Sequence, residues 1–317
     1  MALEEGHSVE GSAFGQSGDG WAAWWSHPGP QRTRIRGYAG YIAVLTVLFL
    51  LPITQLLVHA AQSELHSHIL LVPFIAAYLL SIQKGQPLAP LSTSFFGAGV
   101  AGSLAAAALF AGIGWRSNLS LNDGLALLTL AFVGFLAAGG FLFLGWRWMV
   151  ANAFPAAFLI FMVPLPDAVV DGLEKASALA SADAAAFYFR LTGTPVFRQG
   201  MVFELPGIAL QVAQECSGIR SSLVLFITSL IASHLFLRSP WRRLVLVAFV
   251  IPLGILRNGF RILVIGLLCV HVGPHMINSP IHHKGGPLFF ALSLIPFTLV
   301  LWWLRHQEQR RILRGGG

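Results

Sequence analysis

The chain has 317 residues, of which 56% are hydrophobic and 10% charged, and its mean hydropathy is +0.71. Soluble domains carry about 25% charged residues, so this composition argues against a soluble enzyme and predicts an all-α, polytopic membrane helical bundle. The net charge of +7 does not indicate nucleic acid, because the basic residues sit in short clusters between apolar stretches, where they act as topology signals.

Residues 1–37 read as a mobile tail. They are rich in Gly, Ser and Trp, lack the apolar core of a cleavable signal peptide, and end in the basic run Arg32, Arg34, Arg36. Eight apolar spans follow, at about 38–60, 69–82, 95–115, 124–144, 149–163, 223–237, 244–270 and 287–304. The second is short. The third is rich in Ala and Gly, which allow close helix packing. The seventh contains Pro252 and Gly254 and reads as broken there. Between spans five and six, Asp167, Asp171, Glu174, Lys175 and Asp183 interrupt an Ala-rich pattern that predicts an interfacial helix. Residues 195–206, punctuated by Gly and Pro, read as extended. The organisation expected is a tail (1–37), a transmembrane domain (38–304) with loops at 166–215 and 271–286, and a basic tail (305–317).

With an inside N-terminus and eight spans, the inner segments hold 12 of the 20 basic residues. The outer segments hold five: Arg116, Lys175, Arg190, Arg198 and Lys284. The positive-inside rule then predicts that both termini are cytoplasmic. In this topology Cys216, at the mouth of span six, Arg261, in the outer half of span seven, and His282, in the last outer loop, all fall at the outer face.

Polar groups at membrane depth are costly unless buried or hydrated, which draws attention to the stretch 211–222 and to the arginines of span seven. A cysteine attacks as the thiolate, and a helix N-terminus or nearby cation favours that form. Arg220 lies four residues beyond Cys216, hence on the same helix face, and Arg257 and Arg261 share a face in the same way. These cations could face a thiolate or a substrate oxyanion. They could equally pair with Glu215 or with carbonyls, or snorkel to the interface. His282 or its neighbour His283 could act as general acid and base. Cysteine, histidine and arginine together suggest covalent acyl transfer. The two cysteines, Cys216 and Cys269, form neither a disulfide framework nor a CxxC or zinc pattern, and no P-loop or dinucleotide fingerprint occurs, so no metal or cofactor is expected. Cys269, deep in span seven, reads as a packing residue.

From about Ser67 onward these residues resemble the exosortase/archaeosortase family of membrane cysteine transpeptidases. Carrying the resemblance are Ser67-His68-Ile69-Leu70-Leu71-Val72-Pro73 and Phe161-Met162-Val163-Pro164-Leu165-Pro166. The stronger matches are Cys216-Ser217-Gly218-Ile219-Arg220-Ser221, Arg257-Asn258-Gly259-Phe260-Arg261-Ile262, and His282 with Gly286 and Phe289-Phe290. The family's histidine is followed four positions later by glycine, which favours His282, while Lys284-Gly285-Gly286 also permits His283. Ile69 departs from the glycine usual in the family. The resemblance implies Cys216 as nucleophile, Arg261 as stabiliser of oxyanion or thiolate, and His282 as acid and base. His68, Glu215, Ser217, Arg220, Arg257, Asn258 and His283 are expected in supporting places.

The implied substrates are exported, membrane-anchored proteins with a C-terminal sorting signal: a short Pro-containing motif, a transmembrane helix and a basic end. The product would be held as a thioester and passed to a surface acceptor, such as a lipid or polysaccharide, or to water. The setting implied is the outer face of a prokaryotic cytoplasmic membrane. Two other readings compete. One is a serine-type intramembrane hydrolase using Ser217, Ser221 or Ser222. The other is a non-enzymatic transporter or assembly subunit hinged at the break in span seven.

Overall fold

The computed structural model describes residues 29–82, 91–206, 208–211, 218–279 and 285–315. The chain divides into two compact units. The first comprises Met1–Gln62 and Ile69–Pro164; the second comprises Ser63–His68 and Leu165–Gly317.

In the first unit, α1 (Gly29–Leu48) and α2 (Leu50–Gln62) form one apolar stretch bent by 73°. They are followed by α3 (Val72–Ile82), α4 (Phe95–Gly114), α5 (Leu121–Phe143) and two short helices, α6 (Trp146–Ala151) and α7 (Ala153–Phe158). Serines start the two long helices: Ser94 Oγ accepts from the Gly97 amide and Ser120 Oγ from the Asp123 amide, filling donors that a helix start leaves open. The two helices approach so closely that a Cβ at Gly134 would stand 2.8 Å from that of Ala105, as the Ala/Gly content predicts. Tyr38 and Tyr41 of α1 donate their hydroxyls to the carbonyls of Leu136 and Phe135 on α5, 3.0 Å in each case.

The helix begins at Gly29, so residues 29–37 are not the mobile tail that the sequence predicts. Arg34 snorkels: its Nη1 donates to Thr93 Oγ1 at 2.9 Å and to the Phe143 carbonyl at 3.4 Å. Residues 1–28 lie outside the described residues.

The second unit contains α8 (Asp167–Leu191), a small antiparallel sheet of β1 (Phe197–Gln199), β2 (Val202–Leu205) and β3 (Ile208–Gln211), then α9 (Ile219–Phe236), α10 (Pro240–His271) and α11 (Gly286–Gly315). The expected extended segment is thus a three-stranded sheet that continues past Pro206.

Helix α10 organises the unit through two separate cores. Leu246, Val250 and Leu253 in its first half pack with Leu225, Ala232 and Leu237 after and along α9, and with Phe297 and Leu304 of α11. Ile262, Leu263, Ile265 and Cys269 in its second half pack instead with Phe203, Leu205 and Leu210 of the sheet. They also meet Ala178, Ala182, Ala185 and Phe189 of α8, an i, i+4, i+7, i+11 stripe on one helix face. Gly259 lets α8 approach: a Cβ there would lie 2.6 Å from that of Ala184. At the other end Glu308 of α11 accepts from the amides of Arg238 and Ser239, at 2.9 and 2.7 Å, and pairs with Arg242 at 3.2 Å.

Two expectations need correction. Helix α10 runs unbroken through Pro252 and Gly254. A proline removes one helical hydrogen bond, but the helix continues past it with a core on either side, as in many membrane helices. Gly254 serves close packing instead, with Ser222 Oγ 2.8 Å from where its Cβ would be. The second is the count of eight spans, which is not confirmed. Among the described residues five helices are long and apolar enough to cross a membrane, or up to seven if two interrupted helix pairs each count as one. The 11 residues of α3 rise only about 17 Å against a hydrocarbon core of about 30 Å.

Candidate active site

Three of the sequence motifs come together at the first turn of α9 and the stretch of α10 beside it. Gly218 is its N-cap, with φ +71° and ψ 9°, the left-handed conformation that glycine adopts without steric penalty. Space dictates glycine as well, since a Cβ would lie 2.8 Å from Asn258 Oδ1 and 2.9 Å from its Cγ. The exit of the cysteine motif therefore rests directly on the arginine motif of α10.

The Gly218 carbonyl is the hub. It accepts the Ser222 amide at 3.0 Å, the Ser221 hydroxyl at 3.1 Å and Arg257 Nη2 at 3.2 Å. Arg257 Nη2 also donates to Ser222 Oγ at 3.1 Å. Arg257 is 7% exposed and Asn258 3%. The second guanidinium nitrogen of Arg257, Nη1, is buried and has no hydrogen-bond partner among the described residues. Arg261, one turn further along the same face, is partly buried.

A short segment ending at His68 joins from another part of the chain. Residues Ser63–His68 belong to this unit, and Glu64 forms an ion pair with Arg220 Nη1. Both partners are well exposed, at 77% and 52%, so the pair is worth at most about 1 kcal/mol. Its larger consequence is to tie the first turn of α9 to this segment. His68, in the 3-10 turn Ser67–Leu70, has Nδ1 3.0 Å from the Leu65 carbonyl. A carbonyl can only accept, so Nδ1 carries the proton in that contact. Neighbouring His66 is buried and contacts Ser63 Oγ through Nδ1 at 3.1 Å.

The histidine motif arrives through α11. Phe289 is buried and meets Phe260 edge-on at 6.2 Å between ring centroids, and Phe260 meets Tyr188 of α8 edge-on at 6.1 Å. These contacts seat the start of α11 beside the residue preceding Arg261.

Cys216, Glu215, Ser217, His282 and His283 lie outside the described residues, as does the expected i, i+4 relation between Cys216 and Arg220. Of the serines in the competing hydrolase reading, Ser221 donates to a backbone carbonyl and Ser222 accepts from Arg257, so both do structural work here. The hinge required by the transporter reading is lost with the unbroken α10. Among the described residues no three His, Cys, Asp or Glu side chains converge as a metal site would need. Glu64 was missed at the sequence level because its partner is 156 positions away, beyond any local spacing rule.

The arrangement joins a tight turn after a cysteine, a buried arginine with one unpartnered nitrogen, and aromatic contacts to the first turn of α11, all within a helical membrane scaffold. The model of the transmembrane exosortase family (Exosortase_EpsH) matches residues 60–299, and the chain belongs to that family. Neither a curated protein nor a solved structure matches it. The chain is a multi-pass membrane protein, and its family acts on the C-terminal sorting signals of exported proteins.

Proposed function

We propose that the chain is a cysteine-type protease and transpeptidase that cuts C-terminal sorting signals through a thioester. The observation that carries this reading is the contact of Gly218 with Arg257 and Asn258. Consecutive Cα atoms are about 3.8 Å apart, so Cys216, two residues from Gly218, stays within about 8 Å of that turn by connectivity alone. His282 is likewise three residues from Gly285, which precedes α11.

Cys216 Sγ attacks the scissile carbonyl carbon and the C=O pair moves onto oxygen, where an arginine holds the charge. Collapse of that intermediate breaks the C–N bond, and His282 gives the departing amine its proton. A surface acceptor, lipid or polysaccharide, or water then attacks the thioester and loses its proton to His282, and the C–S bond breaks to return the Cys216 thiolate. The proton that His282 gives the amine in the first half is the one it took from the Cys216 thiol. Arg261 is the assigned stabiliser of oxyanion or thiolate; one such donor is typically worth about 2.7–4 kcal/mol. His68, Arg220, Arg257, Asn258, Glu215, Ser217 and His283 have supporting places.

On an eight-span count, which takes the short α3 as a span beside the seven longer candidates, the charge bias of the loops supports a cytoplasmic-membrane protein with both termini inside and the chemistry at the outer face. A substrate helix in the same bilayer would present its outer end at that depth.

The test is cleavage of a co-expressed sorting-signal substrate, drawn from the same genome, by wild type, Cys216→Ser, Arg261→Ala, His282→Ala and His283→Ala. Loss of cleavage in the first two variants with normal membrane insertion supports the mechanism, and the histidine pair assigns the acid and base. Full activity of Cys216→Ser sinks the thioester.

A further inference from the structure

Three arginines surround the first turn of α9, and their environments differ. Arg220 is tied to Glu64 at an exposed position, and Arg261 is partly exposed. Arg257 is 7% exposed, and its two described bonds both use Nη2. Those bonds go to neutral oxygens, Gly218 O and Ser222 Oγ, and no carboxylate among the described residues pairs with it. Nη1 is buried and has no hydrogen-bond partner among the described residues.

A guanidinium is a rigid planar fork that stays charged, so fixing Nη2 at two oxygens also fixes where Nη1 points. A buried donor without a partner is unusual enough in a native structure to require a reason. Here a reason is at hand. Gly218 offers no side-chain cap, so the positive end of the 18-residue helix α9 opens at the same place. An oriented donor and a helix dipole at one point, with no carboxylate among the described residues paired to that guanidinium, gain most when negative charge develops beside them, because nothing has to reorganise.

We propose that Arg257 is a second substrate-contacting arginine: Nη2 clamps the turn after the nucleophile, and Nη1 donates to the scissile carbonyl oxygen as it becomes an oxyanion. This rests on the thioester reading above and deepens it. When Sγ bonds to the carbonyl carbon, the displaced C=O pair sits on the oxygen facing Nη1. The pair returns to the carbonyl as the C–N bond breaks, so Arg257 gives up no proton and takes none. Ser222 is a positioning residue that acts through Arg257.

The experiment uses the full-length chain in membranes with its sorting-signal substrate. It compares Arg257→Gln, Arg257→Lys, Ser222→Ala and Cys216→Ser for turnover, and Cys216→Ala with and without Arg257→Gln for co-purification of uncut substrate. Arg257→Gln should lower turnover by about 10²–10³, as loss of one oxyanion donor does, while uncut substrate still co-purifies with the double variant. Arg257→Lys keeps the charge without the fork and should lose at least about tenfold, and Ser222→Ala should fall between wild type and Arg257→Lys. Near-wild-type turnover of Arg257→Gln, with Cys216→Ser inactive, overturns the proposal and leaves the cysteine mechanism standing. Loss of co-purification in the double variant also overturns it, by making Arg257 a binding or structural residue. Activity of Cys216→Ser takes down both readings. Should Arg257→Gln fail to insert, Arg257→Lys decides, and wild-type turnover there refutes the need for the fork.

Discussion

Gly218→Ala is the sharpest test of the local geometry, because two independent costs meet at one Cβ. The backbone sits at φ +71°, where an L-residue is disfavoured by about 1–2 kcal/mol. The added carbon would also stand 2.8 Å from Asn258 Oδ1 and 2.9 Å from Cγ, inside van der Waals contact with a buried side chain. Overpacking of that kind costs about 1–3 kcal/mol, so the total is about 2–5 kcal/mol. Asn258→Ala removes Oδ1 and Cγ and leaves only its own Cβ, at 3.3 Å. The double variant should therefore retain the backbone cost and shed most of the clash. A favourable coupling of about 1–3 kcal/mol should appear in a four-corner cycle of thermal unfolding in one detergent. Equal stability of Gly218→Ala and wild type refutes the left-handed cap. Strict additivity in the cycle refutes the contact with Asn258.

Other sites yield simpler expectations. Removing the Glu308 carboxylate strands Arg242 and two amides at the start of α10, so Glu308→Ala should cost about 3–5 kcal/mol of stability by the same unfolding assay. Gly259→Ala forces α8 away from α10, with Ala184 Cβ at 2.6 Å and the Ala185 amide nitrogen at 3.0 Å, and should cost about 1–3 kcal/mol. Cys269→Ala trims one buried atom from the core around α8 and should cost only about 1 kcal/mol, leave cleavage intact, and make any remaining thiol labelling report on Cys216 alone. Glu64→Gln breaks an exposed pair, so unfolding should shift by no more than about 1 kcal/mol, and the difference from wild type should shrink with added salt.

The membrane class and the long helices were legible because their signals are local: unbroken apolar runs of about the length a bilayer requires. Where the reading failed, longer-range packing had overruled a local rule. Pro252 suggested a break, yet α10 continues past it with a core on either side. Arg32, Arg34 and Arg36 suggested a solvated tail, yet Arg34 reaches oxygens 59 and 109 positions away and the helix starts at Gly29. Strand β3 was missed because Pro206 looked like an end, whereas it sits in the turn between β2 and β3. The motifs themselves were visible, and Arg257 and Arg261 looked equivalent at i, i+4. Only their surroundings separate a clamped, buried guanidinium from a partly exposed one.

Those surroundings follow from the unequal lengths of two antiparallel helices. The 18 residues of α9 rise about 27 Å, close to the thickness of a hydrocarbon core, while the 32 residues of α10 rise about 48 Å. α9 begins beside Arg257, so the remaining 14 residues of α10, about 21 Å, continue past it against α8 and the sheet. The place where the apolar partner starts and the mixed α/β layer takes over is where a guanidinium can be buried by protein without lying at the bilayer centre. A cation there avoids the full cost of the membrane interior yet escapes the screening of bulk water. Shifting Arg257 one turn towards Pro240 would bury it in the apolar core formed with α9 and α11. One turn the other way is the position of Arg261, already partly exposed. The register between Gly218 and Asn258 thus sets the strength of the site's electrostatics as well as its geometry, and for that reason one added methyl at Gly218 should disturb function as much as stability.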